Sequence, residues 1–166
     1  MIPIPLLDTD RWNAATPAQR EASAAAVAPD GWLLRDIASR STRTSTQHIA
    51  HFDTPDGAFA LIPGGLHQLG MRQPRVDFHP VRTAAVAPFF VEVAPEQQAA
   101  TWQEATAKLS ETPYRLPTPD EWEVACRGGS STLFRWGREH PLGGTPSGRR
   151  AHPRFTAHRA PNAFGL

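Results

Sequence analysis

The stretch from Tyr114 to Gly129, YRLPTPDEWEVACRGG, constrains the fold more than any other part of the chain. Thr118 can accept a hydrogen bond from the amide of Glu121, and the Glu121 carboxylate can accept one from the amide of Thr118, which makes a capping box. Pro119 follows at the first helical position, where its missing N–H costs nothing. Gly128 and the glycine after it end the helix. The sequence therefore predicts a short, well-capped helix after an extended segment.

One face of this helix is predicted to be apolar and buried. Trp122, Ala125 and Cys126 are three or four residues apart, the spacing of one helical face. Cys126 is accordingly interpreted as a core thiol rather than a nucleophile or a metal ligand, because a buried free cysteine behaves as a small hydrophobe. The five tryptophans are interpreted as packing anchors; they are Trp12, Trp32, Trp102, Trp122 and Trp136.

Capping boxes predict two further helices. Thr16 with Gln19 indicates a helix from about Pro17 to Ala28, and Thr101 with Glu104 one that runs to about Ser110. In the second helix the spacing places Trp102, Ala105 and Leu109 on the buried side.

Strands are indicated between these helices. Residues 47–52 and 58–62 are extended runs separated by Asp53-Thr-Pro-Asp-Gly57, which predicts a hairpin. Residues 66–71 and 86–93 each predict another strand. Periodicity leaves residues 31–37 open between helix and strand, and the polar run 40–46 is interpreted as a loop.

Composition limits the class of protein. One domain is expected for 166 residues, and 17 Pro and 12 Gly predict that loops outweigh helix and strand. The single cysteine cannot form an internal disulfide, which fits a reducing compartment. No apolar run approaches the roughly 20 residues that span a bilayer, and the N-terminus does not resemble a secretion signal. We therefore expect a cytoplasmic protein with no membrane partner.

Charge is distributed unevenly along the chain. Residues 1–134 carry 11 Arg or Lys and 15 Asp or Glu, whereas residues 135–166 carry six Arg and one Glu. This tail is either a solvated segment or a contact for an anionic partner, a nucleic acid or an acidic protein, through Arg149, Arg150, Arg154 and Arg159. Binding of the second kind would weaken steeply with salt and would be lost on deletion after Gly143.

No catalytic or metal-binding residue is predicted. The seven histidines show no ligand spacing, Glu121 is explained by capping, and Glu123 is interpreted as a surface or salt-bridge residue. No cofactor is predicted for this chain.

Five segments in order resemble the formylglycine-generating enzyme, or sulfatase-modifying factor, family. They are FALIPGG at 59–65 with Gly70, VAPFFVEV at 86–93, the motif at 114–129, FRWG at 134–137 and PNAFGL at 161–166. The resemblance implies a structural role in the fold for these residues: Pro63, Gly64, Gly65, Arg115, Leu116, Pro117, Thr118, Glu121, Trp122, Glu123, Arg127, Gly128, Gly129, Trp136, Gly137, Asn162 and Gly165.

The resemblance also implies an architecture. We expect an α+β, C-type-lectin-like domain that is incomplete, with short antiparallel strands, few short helices and long ordered loops. Residues 1–46 are predicted to form a helical extension, and residues 47–166 a partial domain with an Arg-rich tail from about 138. The family's catalytic cysteines, copper site and structural calcium ligands lie in a half that would follow Leu166.

Three functions follow as alternatives. The first is a divergent, non-catalytic domain that binds a ligand, protein or peptide; divergence is indicated by the short segment 94–101, where family members carry an additional helix. The second is the scaffold part of a copper-dependent oxidase that converts a substrate cysteine to formylglycine, with the cysteine pair supplied by another polypeptide. The third is an Arg-rich module that binds nucleic acid or an acidic protein.

Overall fold

The computed structural model describes residues 7–41, 46–70, 80–93 and 101–128. Helices form 34% and strands 39% of it, and the strand pairs are antiparallel, so the predicted α+β class is confirmed. The elements in chain order are α1 (Thr9–Ala14), α2 (Pro17–Val27), β1 (Leu33–Ser41), β2 (Thr46–Thr54), β3 (Gly57–Ile62), β4 (Gly65–Leu69), β5 (Arg82–Val86), β6 (Phe89–Glu92), α3 (Trp102–Leu109) and α4 (Pro119–Arg127).

The prediction that loops outweigh regular structure is wrong for the described residues. Prolines caused the error, because their number does not reveal where they lie. Pro17 and Pro119 occupy the starts of α2 and α4, where a helix tolerates them. Pro63 lies between β3 and β4, and Pro88 lies between β5 and β6.

Four strands form the main sheet in the order β1-β2-β3-β6, and β4 pairs with β5 in a second sheet. The predicted hairpin is confirmed, since β2 and β3 pair from Thr54 opposite Gly57 to Ala50 opposite Leu61. Residues 33–41, which periodicity left largely open, form β1, and a bulge at Arg35 shifts the β1–β2 register. Residues 40, 41 and 46 of the predicted loop belong to β1 and β2, and residues 42–45 lie outside the described residues.

The single strand predicted over residues 86–93 is wrong. Val86 ends β5 and Phe89 begins β6, and the two strands belong to different sheets. Pro88 lies between them and has no N–H to donate to a ladder, so the chain changes sheet there. The strand predicted near residues 66–71 is confirmed as β4.

Both faces of the main sheet are covered. Ile49, Ala60 and Ile62 pack with residues of β4, β5 and α4. Ala50, Phe52, Leu61 and other residues on the opposite face pack with side chains of α1 and α2. Successive strand residues point to opposite faces, so the neighbouring pairs Ile49–Ala50 and Leu61–Ile62 divide between the two cores.

All three helices predicted from capping boxes are present. Thr16, Thr101 and Thr118 each accept from the third following amide, and Gln19, Glu104 and Glu121 return the bond. Helix α1 was not predicted, although Asp8 caps it. Its Trp12 is fully buried and donates its ring N–H to the carbonyl of His48, as expected for a packing anchor.

The N-terminal segment predicted as a helical extension also contributes a strand. Strand β1 pairs with β2 along its length. Trp12 and Ala24 belong to the same buried cluster as Phe52. Among the helices of the described residues, none is both long and apolar enough to cross a bilayer.

Candidate functional site

The segment that leads into α4 is attached to the turn between β2 and β3. The hydroxyl of Tyr114 donates to a carboxylate oxygen of Asp56 at 2.6 Å. Its ring stacks on Phe59, with 5.2 Å between centroids and 21° between planes. The hydrogen bond to Asp56 is the main cause of the raised pKa of Tyr114. Two different interactions thus hold the start of the motif against the main sheet.

Arg115 and Glu121 form a bidentate ion pair at the first turn of α4. The two guanidinium nitrogens of Arg115 donate to the two carboxylate oxygens of Glu121 at 2.7 and 2.6 Å. The Thr118 amide donates to the same carboxylate at 2.7 Å. Glu121 is only 8% exposed. The hydrogen bonds from Arg115, together with that from Thr118, lower the pKa of Glu121 to about 2 although burial opposes this.

Glu123 and Arg127 together hold the main chain of Gly70, at the end of β4. The amide of Gly70 donates to Glu123 Oε1 at 2.8 Å, and the carbonyl of Gly70 accepts from Arg127. The two side chains are also paired with each other at 2.6 Å, four residues apart on α4. Glu123 is therefore a salt-bridge residue, as interpreted from sequence. We call this arrangement of Glu123, Arg127 and Gly70 the Gly70 clamp.

A third ionic contact joins α4 to β5. Both carboxylate oxygens of Asp120 accept from the guanidinium of Arg82. Val124, on the buried side of the helix, packs in the same core as Leu69 and Val86. Helix α4 is consequently fixed to both strands of the second sheet by charged and apolar contacts.

Pro63, Gly64 and Gly65 form the turn between β3 and β4. Gly64 binds the α1 segment through main-chain hydrogen bonds at 2.8 Å, donating to Leu7 and accepting from Thr9. A Cβ at Gly64 would lie 2.5 Å from the Val86 carbonyl oxygen, so this close approach excludes a side chain. The turn brings α1, β3 and β5 together.

The apolar stripe predicted on α4 is confirmed for Ala125 and wrong for Trp122. Trp122 is 60% exposed, whereas Val124 is 2% exposed and Ala125 is buried. Trp102 on α3 is likewise 70% exposed rather than on the buried side, although Ala105 is half-buried. The buried side of α4 carries Glu121, Val124 and Ala125 and excludes Trp122.

Cys126 is half-buried on α4. A copper site of the kind the resemblance implies takes thiolate ligands, and one cysteine in the sequence does not supply a pair. The described residues contain no group of three His, Cys, Asp or Glu that could hold a metal ion, so they fit neither the copper nor the calcium site.

The three histidines of the described ranges lie in separate surroundings. His48 contacts Ser39 at 2.9 Å, and His51 pairs with Asp36 at 2.8 Å. His67 has a lowered pKa because burial disfavours its charged form, although Asp8 and Asp10 oppose this.

Leu116 and Pro117 of the predicted motif are half-buried between Arg115 and the cap of α4, and Gly128 ends the helix in the left-handed conformation. The other predicted positions lie outside the described residues; they are Gly129, Trp136, Gly137, Arg149, Arg150, Arg154, Arg159, Asn162 and Gly165. The short segment that indicates divergence also lies outside, except for Thr101.

Sequence reasoning missed the roles of Tyr114, Asp120 and Arg82, whose partners are distant along the chain.

Comparison with protein families finds a match to the sulfatase-modifying factor enzyme 1-like domain over residues 94–160. Residues 94–160 are therefore similar to the sulfatase-modifying factor family. The described part of the family segment, 101–128, carries α3, the Arg115–Glu121 pair and α4. The match confirms the resemblance and supports the C-type-lectin-like classification. No curated protein and no solved structure matches the chain.

Proposed function

We propose that this chain is a divergent sulfatase-modifying-factor-like protein that binds a protein or peptide and does not itself oxidise cysteine. The proposal rests on one observation: the charged side chains of the motif are already occupied by contacts that hold α4 in place. Arg115 binds Glu121, and Glu123 and Arg127 bind Gly70. These contacts give the motif a scaffold role that requires no chemistry at the helix.

Trp122 is the part of the motif that supports a binding role. It lies on a helix fixed by ion pairs on its other sides, and it is largely exposed. Tryptophan is enriched among the residues that contribute most to binding in protein interfaces, because it supplies a large contact area with few rotatable bonds. A rigid helix that presents a tryptophan suits recognition of an apolar or cationic side chain on a partner.

The test uses the purified chain, copper, oxygen and a Cys-x-Pro-x-Arg peptide of the sulfatase type. Mass spectrometry should detect no aldehyde, whereas an authentic formylglycine-generating enzyme converts the peptide in parallel. Formylglycine produced by this chain alone would contradict the proposal.

Binding is measured separately, by fluorescence anisotropy of the same labelled peptide. Trp122→Ala should weaken binding, and Trp102→Ala serves as the matched control because it removes a similarly exposed tryptophan from a different helix. Equal affinity of both variants and the parent would exclude Trp122 as the contact.

The family match favours a second candidate, the scaffold of a copper-dependent oxidase completed by another polypeptide. Soft Cu(I) takes thiolate ligands, which the partner would have to supply. Titration with Cu(I) of the chain alone and mixed with candidate partners distinguishes the two functions. Stoichiometric binding only in a mixture, together with peptide oxidation, would favour the oxidase.

A further inference from the structure

Strand β1 lies at one edge of the main sheet. It has nine residues, and it pairs with β2 on one side only within the described part of the chain. An edge strand presents main-chain N–H and C=O groups that can pair with a strand of another chain.

The charges along the centre of β1 are arranged symmetrically. Asp36, Ala38 and Arg40 share one face of the strand, opposite His51, Ile49 and Gln47 of β2. Asp36 and Arg40 are exposed, and Ala38 lies midway between them. An acidic and a basic side chain thus stand two residues to either side of a small one.

We propose that β1 pairs antiparallel with β1 of a second copy of this chain, with Ala38 on the two-fold axis. This register places Asp36 of each copy opposite Arg40 of the other, which forms two ion pairs. Such a contact is isologous, because each copy contributes the same surface.

Other symmetric registers are less favourable. An axis at Asp36 places two carboxylates opposite each other, and an axis at Arg40 places two guanidinium groups together, and like charges directly opposite are destabilising. An axis at Ile37 or Ser39 leaves both charges opposite uncharged residues. Charge complementarity therefore selects the register centred on Ala38.

The bulge at Arg35 limits the extent of pairing. A bulge bends its strand and interrupts the ladder, so regular pairing extends from Asp36 to Arg40. An interface of this size is small, and the dimer should be weak, with a dissociation constant on the order of 0.1 mM. Asp36 Oδ1 also contacts Nδ1 of His51 on β2 at 2.8 Å, so the ion pair with Arg40 of the second copy would use Oδ2.

Sedimentation velocity over increasing concentrations of the full chain tests the association. Asp36→Arg and Arg40→Asp should each abolish the dimer, and the double variant D36R/R40D should restore it, because the exchanged charges face each other again. Asp30→Arg, in the exposed turn before β1, makes the same charge change away from the edge and should leave association unchanged.

Cross-linking tests the register. Residues at a two-fold axis of antiparallel strands have Cα atoms about 4.5–5.5 Å apart, within the range of a disulfide. Ala38→Cys should form a disulfide-linked dimer on mild oxidation, whereas Ser39→Cys, which would face Ile37 of the second copy, should form much less. The parent chain, with Cys126 alone, gives the background.

Circular dichroism and thermal unfolding of every variant show whether it is folded. A parent chain that remains monomeric up to millimolar concentration would overturn the proposal. So would a folded double variant that does not recover the dimer, or equal cross-linking at positions 38 and 39.

Discussion

Glu121 combines two roles within a few ångströms. Its carboxylate closes the capping box of α4 and at the same time accepts both nitrogens of Arg115. The capping role of this residue was predictable, because a capping box involves only four consecutive residues. The bidentate pair could have been inferred as well, since Arg115 precedes the cap by only three positions. Burial of Glu121 could not be inferred, because it depends on the elements packed around it.

The low pKa of Glu121 predicts acid sensitivity. A carboxyl group whose pKa is lower in the folded than in the unfolded state contributes stability that is fully present above the unfolded value. That contribution should be lost as the pH falls from about 4.5 towards the folded value of about 2. Because Arg115 is 61% exposed and solvent screens the pair, we expect roughly 1–3 kcal/mol.

Urea unfolding at a series of pH values measures this loss, and Glu121→Gln should flatten the curve in the same range. Glu104→Gln is the matched control, because Glu104 closes an equivalent capping box on an exposed helix. If the two variants show the same pH dependence, the Arg115–Glu121 pair is not its source.

Gly64 is the second position at which one residue determines local structure. Gly64→Ala should destabilise the protein by about 1–3 kcal/mol, because the new methyl group would collide with main-chain atoms of Val86 and Pro88. Gly31→Ala is the comparison. A Cβ at Gly31 would meet no atom within 4 Å, so the only cost there is the positive φ of 81°. Denaturant titration should show the larger loss for Gly64; the reverse order would mean that the β3–β4 turn adjusts readily.

At the scale of the element, α4 predicts unequal losses of stability for two of its apolar residues. Val124→Ala should reduce the free energy of unfolding by about 1–3 kcal/mol, because Val124 is buried in the core with Leu69 and Val86. Trp122→Ala should cost less than about 1 kcal/mol, since its side chain is largely exposed. Chemical denaturation of both variants measures the two free energies of unfolding. A larger loss for Trp122 would restore the orientation predicted from sequence.

The same helix shows how far sequence reasoning reaches. Helix starts were predicted because a cap involves residues three apart, and its hydrogen bonds form within one turn. The inward face of α4 was not predicted correctly. A helix of nine residues has two short apolar stripes, and tertiary contacts determine which of them is buried. The split between β5 and β6 was missed for a similar reason, since both sides of Pro88 favour strands and only pairing partners separate them.

At the scale of the whole molecule, the N-terminal segment and the main sheet share a core. A chain that begins at residue 47 should lose cooperative unfolding and bind a hydrophobic dye, because Ala50, Phe52 and Leu61 would lose the cover given by α1, α2 and β1. Thermal unfolding and dye fluorescence of the shortened and full chains provide the measurement. Cooperative unfolding of the shortened chain would instead support the predicted division at residue 46.

The Gly70 clamp has a consequence for how this protein can vary. Glu123 and Arg127 contact only the main-chain N–H and C=O of residue 70. The positive φ of 83° there suits glycine. The position consequently requires a particular path of the backbone and not a particular side-chain chemistry. A change elsewhere in the chain should leave these two contacts of α4 intact as long as residue 70 keeps the same backbone bend.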